Sequence, residues 1–158
     1  MTGYVRAQVS TLAHGAPVAA LPGDTLRGVA HRMWAESVGA LVVGDVRRPL
    51  GIVSERDVVS ALAQGADPDT MTAAQAMTGH VIAIRPDDPV LDAASHMLDD
   101  AIRHLPLVDP SGTVVGVLSV RDLLRPLLLD ALGGDRTGEA AGRGGTGGSR
   151  QDEGSRRT

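Results

Sequence analysis

The residues of this chain best suited to chemistry sit in two seven-residue runs, Gly51-Ile52-Val53-Ser54-Glu55-Arg56-Asp57 and Gly116-Val117-Leu118-Ser119-Val120-Arg121-Asp122. Each run places a hydroxyl, a guanidinium and a carboxylate within four positions. A helix opening at the serine would present free backbone amides, which suits a phosphate, and a carboxylate one turn in can accept paired hydrogen bonds from a ribose diol. The same residues also read as a helix cap, with Ser at the N-cap and Asp at N3 favouring the positive helix end. Capping explains Ser and Asp. It does not explain an Arg at the same place in both runs, nor Gly51 and Gly116, which let something approach the backbone closely. On the residues alone, capping only and ligand binding stand level.

The elements that must position these runs are themselves duplicated. With Pro22 laid on Pro86, an offset of 64, Met33 falls on Met97, Val38 on Ile102, Leu41 on Leu105 and Asp45 on Asp109. One extra residue enters the second copy near Ser111-Gly112, and the two glycine runs then coincide. Each copy predicts a short strand (18–21; 81–84), a Pro-containing turn, and a helix that Asp24 or Asp88 is placed to cap. One helical face is expected to carry Leu26, Val29, Ala30 and Met33, and in the second copy Leu91, Ala94, Met97 and Leu98. Two apolar runs suited to a hairpin follow (40–43 with 50–53; 104–108 with 114–118), and a second helix starts after Ser54 or Ser119. The expected fold class is α+β, with two β-α-β-β-α repeats. About 45 residues build little core alone, so the repeats should pack together as one pseudo-twofold domain with two equivalent clefts. Pro126 predicts a kink or stop near Arg125.

The expected organisation is a first repeat over 8–66, a linker over 67–80, a second repeat over 81–132 and a disordered Gly/Arg-rich tail over 133–158. The tail carries too few apolar side chains to offset its chain entropy. Composition narrows the function classes. There is no Cys, and all fifteen cations are Arg. Disulfides, thiolate nucleophiles, a Schiff-base lysine and a phosphate-loop lysine are therefore excluded. A net charge of −4, with Tyr4 and Trp34 the only aromatics apart from histidines, predicts no nucleic-acid partner. No apolar run is long enough to span a membrane and no export signal is visible, so a cytoplasmic location is expected. Five histidines (His14, His31, His80, His96, His104) lack metal-binding spacing, and no metal site is expected. Trp34 is expected in the core.

The two glycine runs resemble the G-φ-φ-[ST]-x-x-D signature of the tandem CBS (cystathionine β-synthase) domain pair, and Ile102-Arg103-His104-Leu105-Pro106-Leu107-Val108-Asp109 resembles its R-H-L-P-V-V-D run. The stretch 63–68 and then 72–77 is typical between such repeats, and the likeness covers about residues 5–126. It implies a non-catalytic regulatory module of the stand-alone bacterial kind, binding AMP, ADP, ATP or S-adenosylmethionine in clefts between the repeats. No cofactor is required, and a homodimer and an unknown regulated protein are the implied partners. Carried over by position, the first cleft would use Ser54 and Asp57 for ribose, Ile52 and Val53 beside the base, Ile82 on the adenine, and Arg103, His104 and Arg121 toward phosphate. The second would use Ser119 and Asp122 for ribose, Val117 and Leu118 near the base, Ala19 at the adenine and Arg56 toward phosphate. Gly39 and Ala40 stand where the second copy has Arg103 and His104, so unequal clefts are expected, the Asp57 cleft holding phosphate better. The alternatives are a ligand-free dimerisation scaffold of the same fold, and a small nucleotide enzyme for which no nucleophile or base is visible.

Overall fold

In the computed structural model, residues 7–13 and 15–133 are described. The first repeat runs β1 (Ala19–Ala20), α1 (Leu26–Glu36), β2 (Ala40–Asp45), β3 (Arg48–Ser54) and α2 (Glu55–Ala63). A short helix α3 (Ala73–Ala76) leads to α4 (Val90–Asp99), β4 (His104–Val108), β5 (Val114–Ser119) and α5 (Val120–Gly133). Strands β1-β2-β3 form one sheet, with β1 parallel to β2, and β4-β5 form a second. The expectation for the tail beyond Gly133, like His14 and Tyr4, lies outside the described residues.

Strand β2, central in its sheet, is covered on both faces and opens with four buried residues in succession rather than alternating. Leu41 and Val43 point to α1 and α2 in the first core, while Ala40 and Val42 are buried outside that core. In β4, Leu105 and Leu107 join the second core, and Pro106, the counterpart of Val42, is fully buried outside it. Both hairpins shift register at corresponding places, between Val43 and Gly44 and between Leu107 and Val108. The turn of the first hairpin meets the start of β5, where Val114 donates its amide to the Val46 carbonyl at 2.8 Å.

The two cores are completed by exchanged segments. Val9 and Leu12 lie in the core of the second repeat, and Ala73 lies in the core of the first. The backbone bonds that hold them match one for one at the offset of 64. Val9 donates to Asp88 and Ser10 to Pro86, just as Ala73 donates to Asp24 and Ala74 to Pro22. Val90 donates to Ala7, as Leu26 does to Met71. The segment ahead of each repeat therefore packs on the other repeat.

Several sequence expectations are corrected. Asp24 and Asp88 do not cap helices; each accepts the amide three residues earlier, from Leu21 and Arg85 at 2.9 Å, and so closes the turn. Thr25 caps α1 by accepting from Gly28, and Pro89 stands at the corresponding position of α4. The buried face of α4 is Val90, Ala93 and Met97, one position off the predicted phase, and Leu91 and Leu98 point outward. Trp34 is 79% exposed, with His31 as its ring neighbour at 6.0 Å. Helix α5 continues through Pro126 rather than stopping. The strand predicted over 81–84 shrinks to a single parallel bridge from Ile84 to Leu107. In the first repeat Val42 donates its amide to Val18 at 2.9 Å. Its counterpart Pro106 has no N–H to give Ile82, so the second pairing cannot form.

Candidate functional site

The two glycine runs adopt the same local geometry. Ser54 caps α2, and Asp57 Oδ2 accepts both the Ser54 amide and the Ser54 hydroxyl at 2.7 Å. Ser119 and Asp122 repeat both distances. The capping reading therefore holds for both copies, but it consumes only one carboxylate oxygen. Among the described residues, Asp57 Oδ1 takes no hydrogen bond.

Gly51 has a structural reason. A Cβ there would stand 2.5 Å from the Thr78 carbonyl and 2.8 Å from the Met77 sulfur, because residues 77–78 run against β3. Ile52 and Thr78 exchange backbone bonds at 3.1 and 2.9 Å. What approaches this glycine is the chain itself. At Gly116 a Cβ would meet Ala13 at an ordinary 3.4 Å.

What distinguishes the two copies lies opposite them. Between α2 of the first repeat and the entry to β4 of the second is a cavity of about 610 Å³, within the range of small-molecule sites. Its walls include Ile52, Ser54, Asp57, Ile82, Arg103 and His104 from the predicted first set. Strand alternation delivers Ile52 and Ser54 to the cavity and turns Val53 away. Val53 is fully buried in the first core and does not line it. Arg121 does not line it either. Arg56, expected in the second cleft, lines this one because it stands in the first turn of α2 beside Asp57. Its Nη1 crosses to the second repeat and donates to the Ala101 carbonyl at 2.9 Å. The unzipped stretch at Val81 and Ile82 and the face of Pro106 supply the apolar side.

Sequence reasoning missed Glu55, Val59, Thr78, His80, Val81, Asp100, Ala101, Ile102 and Pro106 on the same walls. Val59 could have been found from its helical spacing with Arg56, and Glu55 from its spacing with Val59. The loop before β4 and residues 78–81 carried no such signal. A smaller apolar cavity of about 160 Å³ shares Ile52, Val81 and Pro106 with the first.

The rest of the predicted second set lines neither of these two cavities. Neither cavity includes Ala19, Val117, Leu118, Ser119 or Asp122. Leu118 is fully buried in the second core. Ala19 is zipped to β2, and its carbonyl accepts from Arg32 Nη1 at 2.6 Å.

His104 sits against the first repeat. A Cβ at Gly39 would lie 2.5 Å from its Nε2 and 3.3 Å from Glu55 Oε2, so the bare backbone at 39 makes room for the imidazole. Burial pushes the His104 pKa below the ordinary 6.5; Glu55 and Asp122 oppose the shift, while Arg103 and Arg121 add to it. The folded state thus holds fewer protons on His104 than the unfolded chain does. Its contribution to stability is fully present above about pH 6.5 and is lost as pH falls through the lower folded value. Denaturant titrations between pH 8 and pH 5 should show part of the acid-side loss disappearing in His104→Gln. An unchanged profile would remove His104 from the account.

The CBS domain family model matches residues 9–64 and 73–129. The chain belongs to the CBS domain family. A 17.7 kDa uncharacterized protein of Acidianus ambivalens is 39% identical over 108 residues, covering 68% of this chain and 65% of that protein. An uncharacterized protein of Methanopyrus kandleri is 35% identical over 106 residues, covering 66% and 54%. The chain thus spans between about half and two thirds of the length of these curated relatives. Among solved structures, a CBS domain protein from Pyrobaculum aerophilum complexed with AMP is 36% identical, with a TM-score of 0.71 over 80% of this chain and 99% of that one. A CBS domain pair in complex with 5′-methylthioadenosine and S-adenosyl-L-methionine is 26% identical, with a TM-score of 0.70 over 77% and 98%. Among the described residues of this CBS pair, no helix is long and apolar enough to cross a membrane.

Proposed function

We propose that this CBS pair is a non-catalytic regulatory module that binds an adenosyl ligand in the Asp57 cleft and passes the change in repeat packing to a partner protein. The observation that carries the reading is the Asp57 carboxylate. One of its oxygens closes the helix cap, the other accepts no hydrogen bond among the described residues, and Asp57 lines a cavity of about 610 Å³. Ribose hydroxyls would donate to that oxygen, Ile52, Val81 and Ile82 would flank the base, and Arg103 and Arg56 would meet a phosphate. The complexes that related pairs form with AMP, and with S-adenosyl-L-methionine and 5′-methylthioadenosine, support the ligand class. The cleft draws on both repeats, so an occupant that fits one packing better than another shifts the equilibrium between them.

The second reading, a ligand-free dimerisation scaffold, is favoured by one observation. Trp34, Val59 and Leu62 are exposed on α1 and α2, and Leu98, Leu124 and Leu128 are exposed on α4 and α5. By the internal repeat, Trp34 corresponds to Leu98 and Val59 to Leu124, so a second copy of this chain could cover like with like. We infer a homodimer through these helices. A cytoplasmic site of action belongs to the same proposal. Thermal unfolding with AMP, ATP, NAD and S-adenosylmethionine tests it. A ligand at 100 times its Kd should add about 2.7 kcal/mol of stability. No shift with any of them would leave the scaffold reading, and turnover of any of them would mark an enzyme.

A further inference from the structure

The charge on the walls of the Asp57 cleft sets a limit on what it can hold. The walls include two guanidiniums, Arg56 and Arg103, and three carboxylates, Glu55, Asp57 and Asp100. The position-by-position expectation supplied three phosphate donors, Arg103, His104 and Arg121. The structure keeps Arg103 as a cation there and removes Arg121 from the wall, and His104 is held toward its neutral form. Arg56 replaces one donor, with one of its N–H groups committed to the Ala101 carbonyl.

Two guanidiniums can match the dianion of one phosphate. Each further phosphate adds negative charge close to Glu55 and Asp100 with no third guanidinium on the walls to receive it, only the imidazoles of His80 and His104. Inside a half-enclosed cleft such repulsion is screened less than in open water. Asp57 is oriented by the cap.

We propose that this cleft selects adenosyl ligands carrying at most one phosphate and discriminates against the nucleoside triphosphate. The inference rests on the adenosyl reading above and adds the charge class of the ligand. A monophosphate satisfies Arg56 and Arg103, and a sulfonium or thioether nucleoside leaves the carboxylates unopposed by new negative charge.

Calorimetric titration of the full chain in magnesium-free buffer with AMP, ATP and S-adenosylmethionine tests the proposal. AMP should bind at least tenfold more tightly than ATP. The double variant Glu55→Gln/Asp100→Asn should narrow that ratio by improving ATP binding more than AMP binding. ATP binding as tightly as AMP, or a ratio that the double variant leaves unchanged, would overturn the charge selectivity while leaving the adenosyl site intact. No binding by any of the three would overturn both.

Discussion

Asp57→Ala should weaken AMP binding by about 100-fold or more, whereas Asp122→Ala should leave it within a few fold. The ground is two charge-assisted hydrogen bonds to ribose at roughly 1.5 to 3 kcal/mol each. The comparison is well controlled because Ser54–Asp57 and Ser119–Asp122 form the same cap, with both Oδ2 contacts at 2.7 Å in each copy. Each substitution removes the carboxylate half of one capping box, leaving the serine N-cap, and should cost about 1 kcal/mol of folding stability. Equal loss of stability with unequal loss of affinity separates the ligand role from the structural one. Titration calorimetry of the two variants reads the affinity and urea unfolding reads the stability. Equal loss of affinity in both variants, or loss only in Asp122→Ala, would move the site away from α2.

Val9→Asp should be the most damaging single change to stability, and the damage should appear in the second repeat although residue 9 precedes the first. Val9 is fully buried among Ile84, Val90, Leu105 and other residues of the second core. An aspartate there has no described cation in its cluster, and an unpaired charge in such a place costs on the order of 4 kcal/mol. Native-state hydrogen exchange should show α4, β4 and β5 losing protection first. First loss in α1 and α2 would assign the segment to the wrong repeat. Because the counterpart segment around Ala73 sits in the first core, neither repeat has a complete core by itself.

Much of the architecture was legible because duplicated positions obey the same local rules. Hydrophobic periodicity and the Ser-x-x-Asp caps place α1, α2 and α5 and both hairpins without tertiary information. Where one copy misled, the other held the answer. The phase of α4 follows from laying Leu26, Val29 and Met33 on Val90, Ala93 and Met97, whereas its own leucines point to the wrong face. Trp34 departs from the rule that a large apolar side chain is ordinarily buried, because its position on α1 lies on the outward face, where it is 79% exposed. The exchanged segments were invisible because Val9 to Leu12 and Ala73 to Ala76 share no letters, only positions and backbone bonds.

The amino-acid order by itself determined the α+β class, the duplicated unit and the paired Ser/Asp helix mouths, since these rest on contacts within a few residues of chain. Only the tertiary structure set the Ser54–Asp57 mouth against a cavity walled by the second repeat. That outcome depends on partners far apart in sequence. Pro106 lacks the N–H that would zip Ile82 into the sheet, as Val42 zips Val18, and the bare backbone of Gly39 receives the imidazole of His104. Two helix mouths with the same local geometry therefore differ in what the other repeat sets against them.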